Sequence, residues 1–380
     1  MNRHYFDHNA TTPVSPEVLS AFTTALAEVC GNASSVHHFG QQAKRSLESA
    51  RRQVAAMLGA DGKEVVFLSG GTEADNLAVL GAVRAAPGER KHMITSAIEH
   101  PAVLGAAAQL EREGVEVTRL GVDTAGVVDP DNVGRALRPH TVLISVMHAN
   151  NETGVLQPVA RIARIAREAG VAFHSDGVQA AGKIPLDVGA LGVDLYAISG
   201  HKFHAPKGTG ALFVRKGLTL APLQHGGHHE RDRRPGTENV PGAVALAAAA
   251  ENAIALSPDL RDRLERSILD RIPGTGVNGG VADRTPNTSN MWFDGVEGEA
   301  MVIALDLQGF AVSTGAACSS GAIEPSHVLT AMGLSASKAK SSLRFSLGRA
   351  NTAGEVDALV EAVAAAAARL RKLSPAYAHA

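Results

Sequence analysis

Four residues that could share one task each follow a short apolar run. Lys202 stands in GHKFHAPKG at 200–208, just after LYAIS at 195–199. A lysine held at a strand end beside apolar surface loses hydration, so its pKa falls and it becomes a nucleophile toward aldehydes. The plainer reading is a surface lysine, and Lys207, in a solvated Pro-Lys-Gly turn, fits that reading better. Asp176 ends VAFHSD at 171–176, where a carboxylate can hold a protonated ring nitrogen or simply cap a helix. GGTEADN at 70–76 follows EVVFLS: two glycines turn the chain, and a helix starting at Thr72 or Glu73 offers free N–H groups and a hydroxyl to an anion. The same residues also describe an ordinary helix capped by Thr72. His100, in SAIEHPAV after KHMITS, is either a turn histidine or a flat ring that can stack and move protons.

Together these make a parts list. Pyridoxal 5'-phosphate needs a lysine for its aldehyde, an acid for its pyridinium nitrogen and an anion cup for its phosphate. Lys202 is the Schiff-base candidate. The elements that must position these groups are read from the hydrophobic pattern. Short apolar runs at 64–69, 91–96, 141–148, 171–176, 195–199 and 210–216 alternate with amphipathic helical stretches, which indicates a mostly parallel α/β sheet. In such sheets ligands bind beyond the carboxyl ends of the strands, where all four candidates lie. From Val240 the character changes. A long helical stretch over 243–272 leads away from the sheet, NTSNMWFDG and AVSTGAAC read as strands, and the chain ends in a strong helix. The expectation is a large α/β domain with a smaller α+β domain, closely packed because no low-complexity linker separates them.

Composition narrows the function. The 380 residues are 45% hydrophobic but only 4% aromatic, so Ala, Val and Leu must fill the core. The net charge of −2, with no basic run, argues against a nucleic-acid partner. Two cysteines make no disulfide framework and fit a reducing cytoplasm. There is no secretory h-region and no run of about 18 apolar residues, so no membrane span is expected.

The motifs GNASSVHHFG, SGGTEADNLA, EHPAV, MHANNETG, DGVQAAGK, SGHKFHAPKG, RPGTENV, STGAACSSG and SSLRFSLGR are highly specific and span nearly the whole chain. In them the sequence resembles the cysteine desulfurases of the NifS/IscS type, within the class V aminotransferase group of fold type I pyridoxal-phosphate enzymes. The resemblance implies roles. Lys202 would bind the cofactor's aldehyde, Asp176 would pair with its ring nitrogen, Gln179 would hydrogen-bond its phenolic oxygen, and His100 would stack on the ring and shuttle protons. Gly71, Thr72, Ser199 and His201 would hold the phosphate. Thr237 would reach the phosphate of a neighbouring subunit, which implies a homodimer. Asn151 and Arg344 would hold the substrate carboxylate, a task suited to arginine's planar fork. The resemblance also implies a large domain over 14–250 and a small one from 1–13 and 251–380. Three departures stand out: Ala33 replaces a common proline, Ala74 a frequent serine near the cofactor, and Ala316 another serine.

Cys318 is then explained. A thiol that must take sulfur from a bound L-cysteine, leave alanine behind and carry a persulfide to an acceptor is suited to a Gly/Ser-rich loop rather than a core. The acceptor would be a protein such as an iron–sulfur scaffold, serving nitrogenase, general cluster assembly or thiolation; DGVQAAGK and RPGTENV lean toward the nitrogenase branch. The alternatives are a selenocysteine lyase, a cystine C–S lyase or an aminotransferase on the same scaffold, and, from another class, a non-catalytic binding partner. Cys30 matches no motif. His225, His228, His229 and Glu230 could hold zinc by composition, but the spacing is not HExxH and no CxxC exists, so no metal is expected.

Overall fold

The apolar runs that precede the candidate residues become strands of one seven-stranded sheet. Its order is 65–68, 210–214, 195–199, 172–176, 141–145, 92–96, 116–120. All neighbours are parallel except that Gly210–Val214 runs antiparallel to both of its own. Leu195–Ser199 and Gly210–Val214 are buried at every position, as strands covered on both faces must be. The expected mostly parallel sheet is therefore present. The computed structural model describes residues 3–314 and 325–373; Cys318 and Ala316 lie outside the described residues.

One core fills the space between this sheet and the helices Pro16–Glu28, His38–Leu58 and Val240–Glu251. Most of the buried positions of the last of these are alanine or glycine, which lets helix backbones approach closely where aromatics are scarce. The long helical stretch expected over 243–272 is broken. A helix ends at Glu251, and another runs Asp259–Arg271 after Ser257 and Pro258. Proline has no N–H to donate and restricts the residue before it, so it stands at the start of the second helix rather than inside one long helix. Nor does the first helix leave the sheet's domain: Leu246 and Ala249 sit in its core.

A second core gathers Phe6 with Leu264, Ile268, Phe293, Phe345 and Leu359. It lies on a three-stranded antiparallel sheet of Ser342–Ser346, Thr288–Phe293 and Thr275–Val277. His4–Tyr5 pairs in parallel with Phe310–Ala311, so the chain's beginning is laced to its last third. Of AVSTGAAC, residues 311–314 are described, and among them only Ala311 is in a strand; Ser313 then bridges singly to Arg344. A small cluster of Ile98 and Met147 with Val328, Leu329 and Met332 joins the loops after two sheet strands to the helix His327–Ala331.

The stretch considered for zinc has another use. Arg51 donates to both carboxylate oxygens of Glu230, at 2.7 and 2.8 Å, with both side chains almost fully buried. Glu230 also accepts from the Phe67 N–H, and Arg51 lies over the Phe67 ring. This pins a run in which Glu230, Arg231 and Asp232 all have left-handed φ values of 46°, 57° and 66°, a conformation that costs each non-glycine residue about 1–2 kcal/mol. His228 is turned to Asp232 instead. Replacing Glu230 with Gln leaves the buried Arg51 with only the more exposed Glu48 as counter-ion, at 3.1 Å, and should lower unfolding free energy by about 3 kcal/mol. Denaturant melts of the variant check this; an unchanged midpoint would mean that the pair does not hold the turn.

Candidate active site

The sheet delivers its chemistry at one rim. Gly71, Thr72, His100, Asn151, Asp176, Gln179, Ser199, His201, Lys202 and Arg344 line a single cavity of about 430 Å³. Of the residues singled out in the sequence, Thr237 is not among its walls and is exposed, and Cys318 lies outside the described residues. Ala74 is fully buried and does not line the cavity, so the serine it replaces would add no hydroxyl there.

Lys202 ends a short 3-10 turn that follows strand Leu195–Ser199. Its Nζ donates to the main-chain oxygens of Asn9 and Ala10, at 2.7 and 2.8 Å. Burial lowers its pKa to about 8, with the Arg344 guanidinium adding to the effect and Asp176 and Asp7 opposing it. Asp176 closes strand Ala172–Asp176 and is buried. One carboxylate oxygen accepts from the Val178 N–H at 2.9 Å, and the other has no donor among the described residues. Burial raises its pKa, while the charges of His100 and Lys202 pull it back. His100 caps the helix Pro101–Arg112, its Nδ1 accepting from the Ala102 N–H at 3.1 Å. An accepting Nδ1 leaves the proton of the neutral ring on Nε2, and burial favours that neutral ring.

The helix that follows the two glycines starts one residue earlier than expected. The helix Gly71–Ala85 begins at Gly71, and no side chain caps its first turn. A Cβ on Gly71 would come within 2.8 Å of Val178, so glycine is what lets the helix start lie against Val178 and Ser199. The free N–H groups of that turn, with Thr72, Ser199 and His201, suit a phosphate. His201 is bonded to Thr11 at 3.1 Å, and burial followed by Lys202 lowers its pKa to about 4.

Arg344 comes from strand Ser342–Ser346 of the other sheet. It donates to Asp7 at 2.6 Å and to the Asn151 oxygen at 3.0 Å, and its buried Nε has no partner among the described residues. The side-chain amide of Asn151 also has no partner among the described residues, so both keep donors for an anion.

Several cavity groups escaped the sequence reading. Asn9 and Ala10 form one wall; they belong to YFDHNATTP, whose resemblance to the family carried no residue role. Asp75 is also in the wall. It is 1% exposed, neither of its oxygens is hydrogen-bonded, and His174 Nε2 stands 3.5 Å away. Burial, then Asp176 and Glu99, push its pKa well up. Only a helical position facing the sheet could have marked it.

An open electron-withdrawing ring with an aldehyde and a phosphate fits these walls: an amine of lowered pKa, a buried carboxylate with one oxygen unmatched, and an uncapped helix start. The family described as Aminotransferase class-V matches residues 4–359, and the chain belongs to it. A "Cysteine desulfurase" of Trichormus azollae is 49% identical over 378 residues, 98% of this chain and 94% of the relative. A solved "NIFS-LIKE PROTEIN" superimposes with a TM-score of 0.89 at 35% identity, covering 96% of this chain and 98% of that one. Another, "SspA in complex with cysteine", gives 0.83 at 35% identity over 90% of this chain and 98% of that one. Within the class V family this chain thus stands among the cysteine desulfurases, pyridoxal-phosphate enzymes with the fold described above.

A lowered lysine pKa means more neutral amine at neutral pH. In the cofactor-free protein, amine labelling of Lys202 followed by peptide mass spectrometry should show a midpoint near pH 8, and Arg344→Gln should raise it. A midpoint in the ordinary lysine range for the unaltered protein would contradict the buried environment described here.

Proposed function

We propose that the chain removes sulfur from L-cysteine, leaving L-alanine and a persulfide on Cys318. The observation that carries this reading is the convergence of Lys202, Asp176, His100 and the uncapped helix start on one cavity, in a chain whose relative at 49% identity is a cysteine desulfurase. Pyridoxal phosphate, when bound, supplies an electrophilic carbon for the substrate amine and an electron sink that acidifies the proton on the substrate's Cα.

The chain's residues do the rest. Gly71, Thr72, Ser199 and His201 would hold the phosphate, and Asp176 would accept a hydrogen bond from the ring nitrogen and so keep it protonated. Arg344 and Asn151 bind the substrate carboxylate, which orients Cα toward Lys202. Lys202, an amine of lowered pKa, would take the Cα proton; its hold on the Asn9 and Ala10 oxygens keeps it at the site. His100, with its proton on Nε2, can pass a proton within the cavity. The thiolate of Cys318 forms a sulfur–sulfur bond as the substrate's carbon–sulfur bond breaks. The carbon keeps the bonding pair and takes up a proton, giving alanine. The segment that carries Cys318 springs from Ser313, a cavity wall.

The persulfide then passes to an acceptor such as an iron–sulfur scaffold protein. A homodimer is supported by exposed apolar side chains on the first two helices, Leu19, Leu26 and Phe39, and by Thr237, which has no task in its own chain's cavity but would have one at a partner's phosphate. No described helix is long and apolar enough to cross a membrane. With only two cysteines this supports a place in the cytoplasm.

Purified protein mixed with L-cysteine and a thiol reductant should yield alanine and sulfide in equal amounts. Cys318→Ala should lose both products while keeping the yellow chromophore. Pyruvate and ammonia would mean β-elimination instead and would remove the role given to Cys318.

A further inference from the structure

Lys183 is 3% exposed and has no carboxylate partner among the described residues. Its Nζ donates to the side-chain oxygens of Asn9 and Gln179, at 2.7 and 2.5 Å. Burial, then the charges of Lys202 and Arg344, lower its pKa. An amine buried beside two cations is a poor source of stability, so its place asks for another reason.

The reason lies in the Gln179 amide. Its Nε2 donates to the main-chain oxygen of Asn9 at 3.0 Å. A main-chain oxygen can only accept, so nitrogen must stand on that side. The Lys183 amine donates on the other side, to the Gln179 carbonyl oxygen. The two partners therefore allow one orientation of the amide and forbid its flip. Asn9 is fixed in turn, because its own amide nitrogen donates to the Asn151 oxygen and the Thr288 hydroxyl. The second N–H of Gln179 has no partner among the described residues, and Gln179 is a wall of the cavity.

We propose that Lys183 is a positioning residue that locks the Gln179 amide so that an N–H, and never the carbonyl, is presented to an anionic oxygen of the bound cofactor's ring. This rests on the pyridoxal-phosphate reading above. A flipped amide would set oxygen against oxygen. A donor at that point stabilises the ring's anionic form, and losing it makes the bound cofactor hold its proton to higher pH.

The test compares the unaltered protein with Lys183→Met, Gln179→Leu and the double variant, each loaded with pyridoxal phosphate. The visible band is titrated with pH, the affinity of the cofactor-free protein for pyridoxal phosphate is measured, and melting of that protein serves as the control for fold. Lys183→Met should raise the band's midpoint by about one pH unit, the effect of one hydrogen bond, and weaken cofactor binding about tenfold. The double variant should shift no further than Gln179→Leu, because the lysine acts through the glutamine. Should Lys183→Met not fold, Lys183→Gln, which keeps a shorter donor, carries the same comparison with a smaller shift. Additive shifts, or an unchanged midpoint with a lower melting temperature alone, would overturn the proposal. Unaltered protein that forms no visible band with pyridoxal phosphate would overturn both this proposal and the reading beneath it.

Discussion

The site depends on how one asparagine is bonded. The main-chain oxygen of Asn9 accepts from Lys202 and Gln179, its side-chain oxygen from Lys183 and Asn287, and its amide nitrogen donates to Asn151 and Thr288. Its main-chain N–H reaches the Ser346 hydroxyl. Every polar group of the residue is used, and the partners come from strands of the three-stranded sheet, Thr288 and Ser346, and from the turns that follow strands of the seven-stranded one, Asn151, Gln179 and Lys202. A buried polar group left unmatched is costly, so a shift of one partner is felt by the rest. The reactive lysine, the amide that faces the cavity and the strand that carries Arg344 are thereby set in register with one another.

Charge is the second constraint. Lys183, Lys202 and Arg344 crowd a region with limited access to water, and Asp7, Asp75 and Asp176 are arranged among them. Such a cluster cannot keep every group ionised. Burial and mutual repulsion hold the lysines toward the neutral amine and Asp75 toward the neutral acid. Arg344 is paired with Asp7, the one carboxylate it touches among the described residues. The cavity is left with one amine able to take a proton and one carboxylate oxygen able to accept from a ring nitrogen, which is the division of labour that the cofactor's chemistry needs.

Much of this was legible in the sequence, because strands covered on both faces leave continuous apolar runs and the residues just after them must stand at the sheet's rim. Lys202, Asp176, His100 and Thr72 were found in this way, and Asn151 and Arg344 came from the resemblance. Asn9, Lys183 and Asp75 were not given roles, since a buried polar residue has no periodicity of its own; its value comes from partners far along the chain. The long helical stretch expected over 243–272 is broken for a different reason. Alanine carries a helical pattern through almost anything, and the stop at Ser257-Pro258 was outweighed by the alanines before it. Thr237 could not be placed in a cavity of its own chain because its proposed task lies on another.

The lacing of the first residues to the last third sets an order of assembly. Asn9 and its partner Asn287 are 278 residues apart, and Phe6 belongs to a core made almost wholly of residues beyond 260. Loops of that length close late. A ribosome-bound chain long enough to form the whole seven-stranded sheet would still lack the oxygens that receive the Lys202 amine in their final place. The reactive lysine is thus present in the nascent polypeptide well before it is properly seated, and competence arrives only as synthesis nears its end.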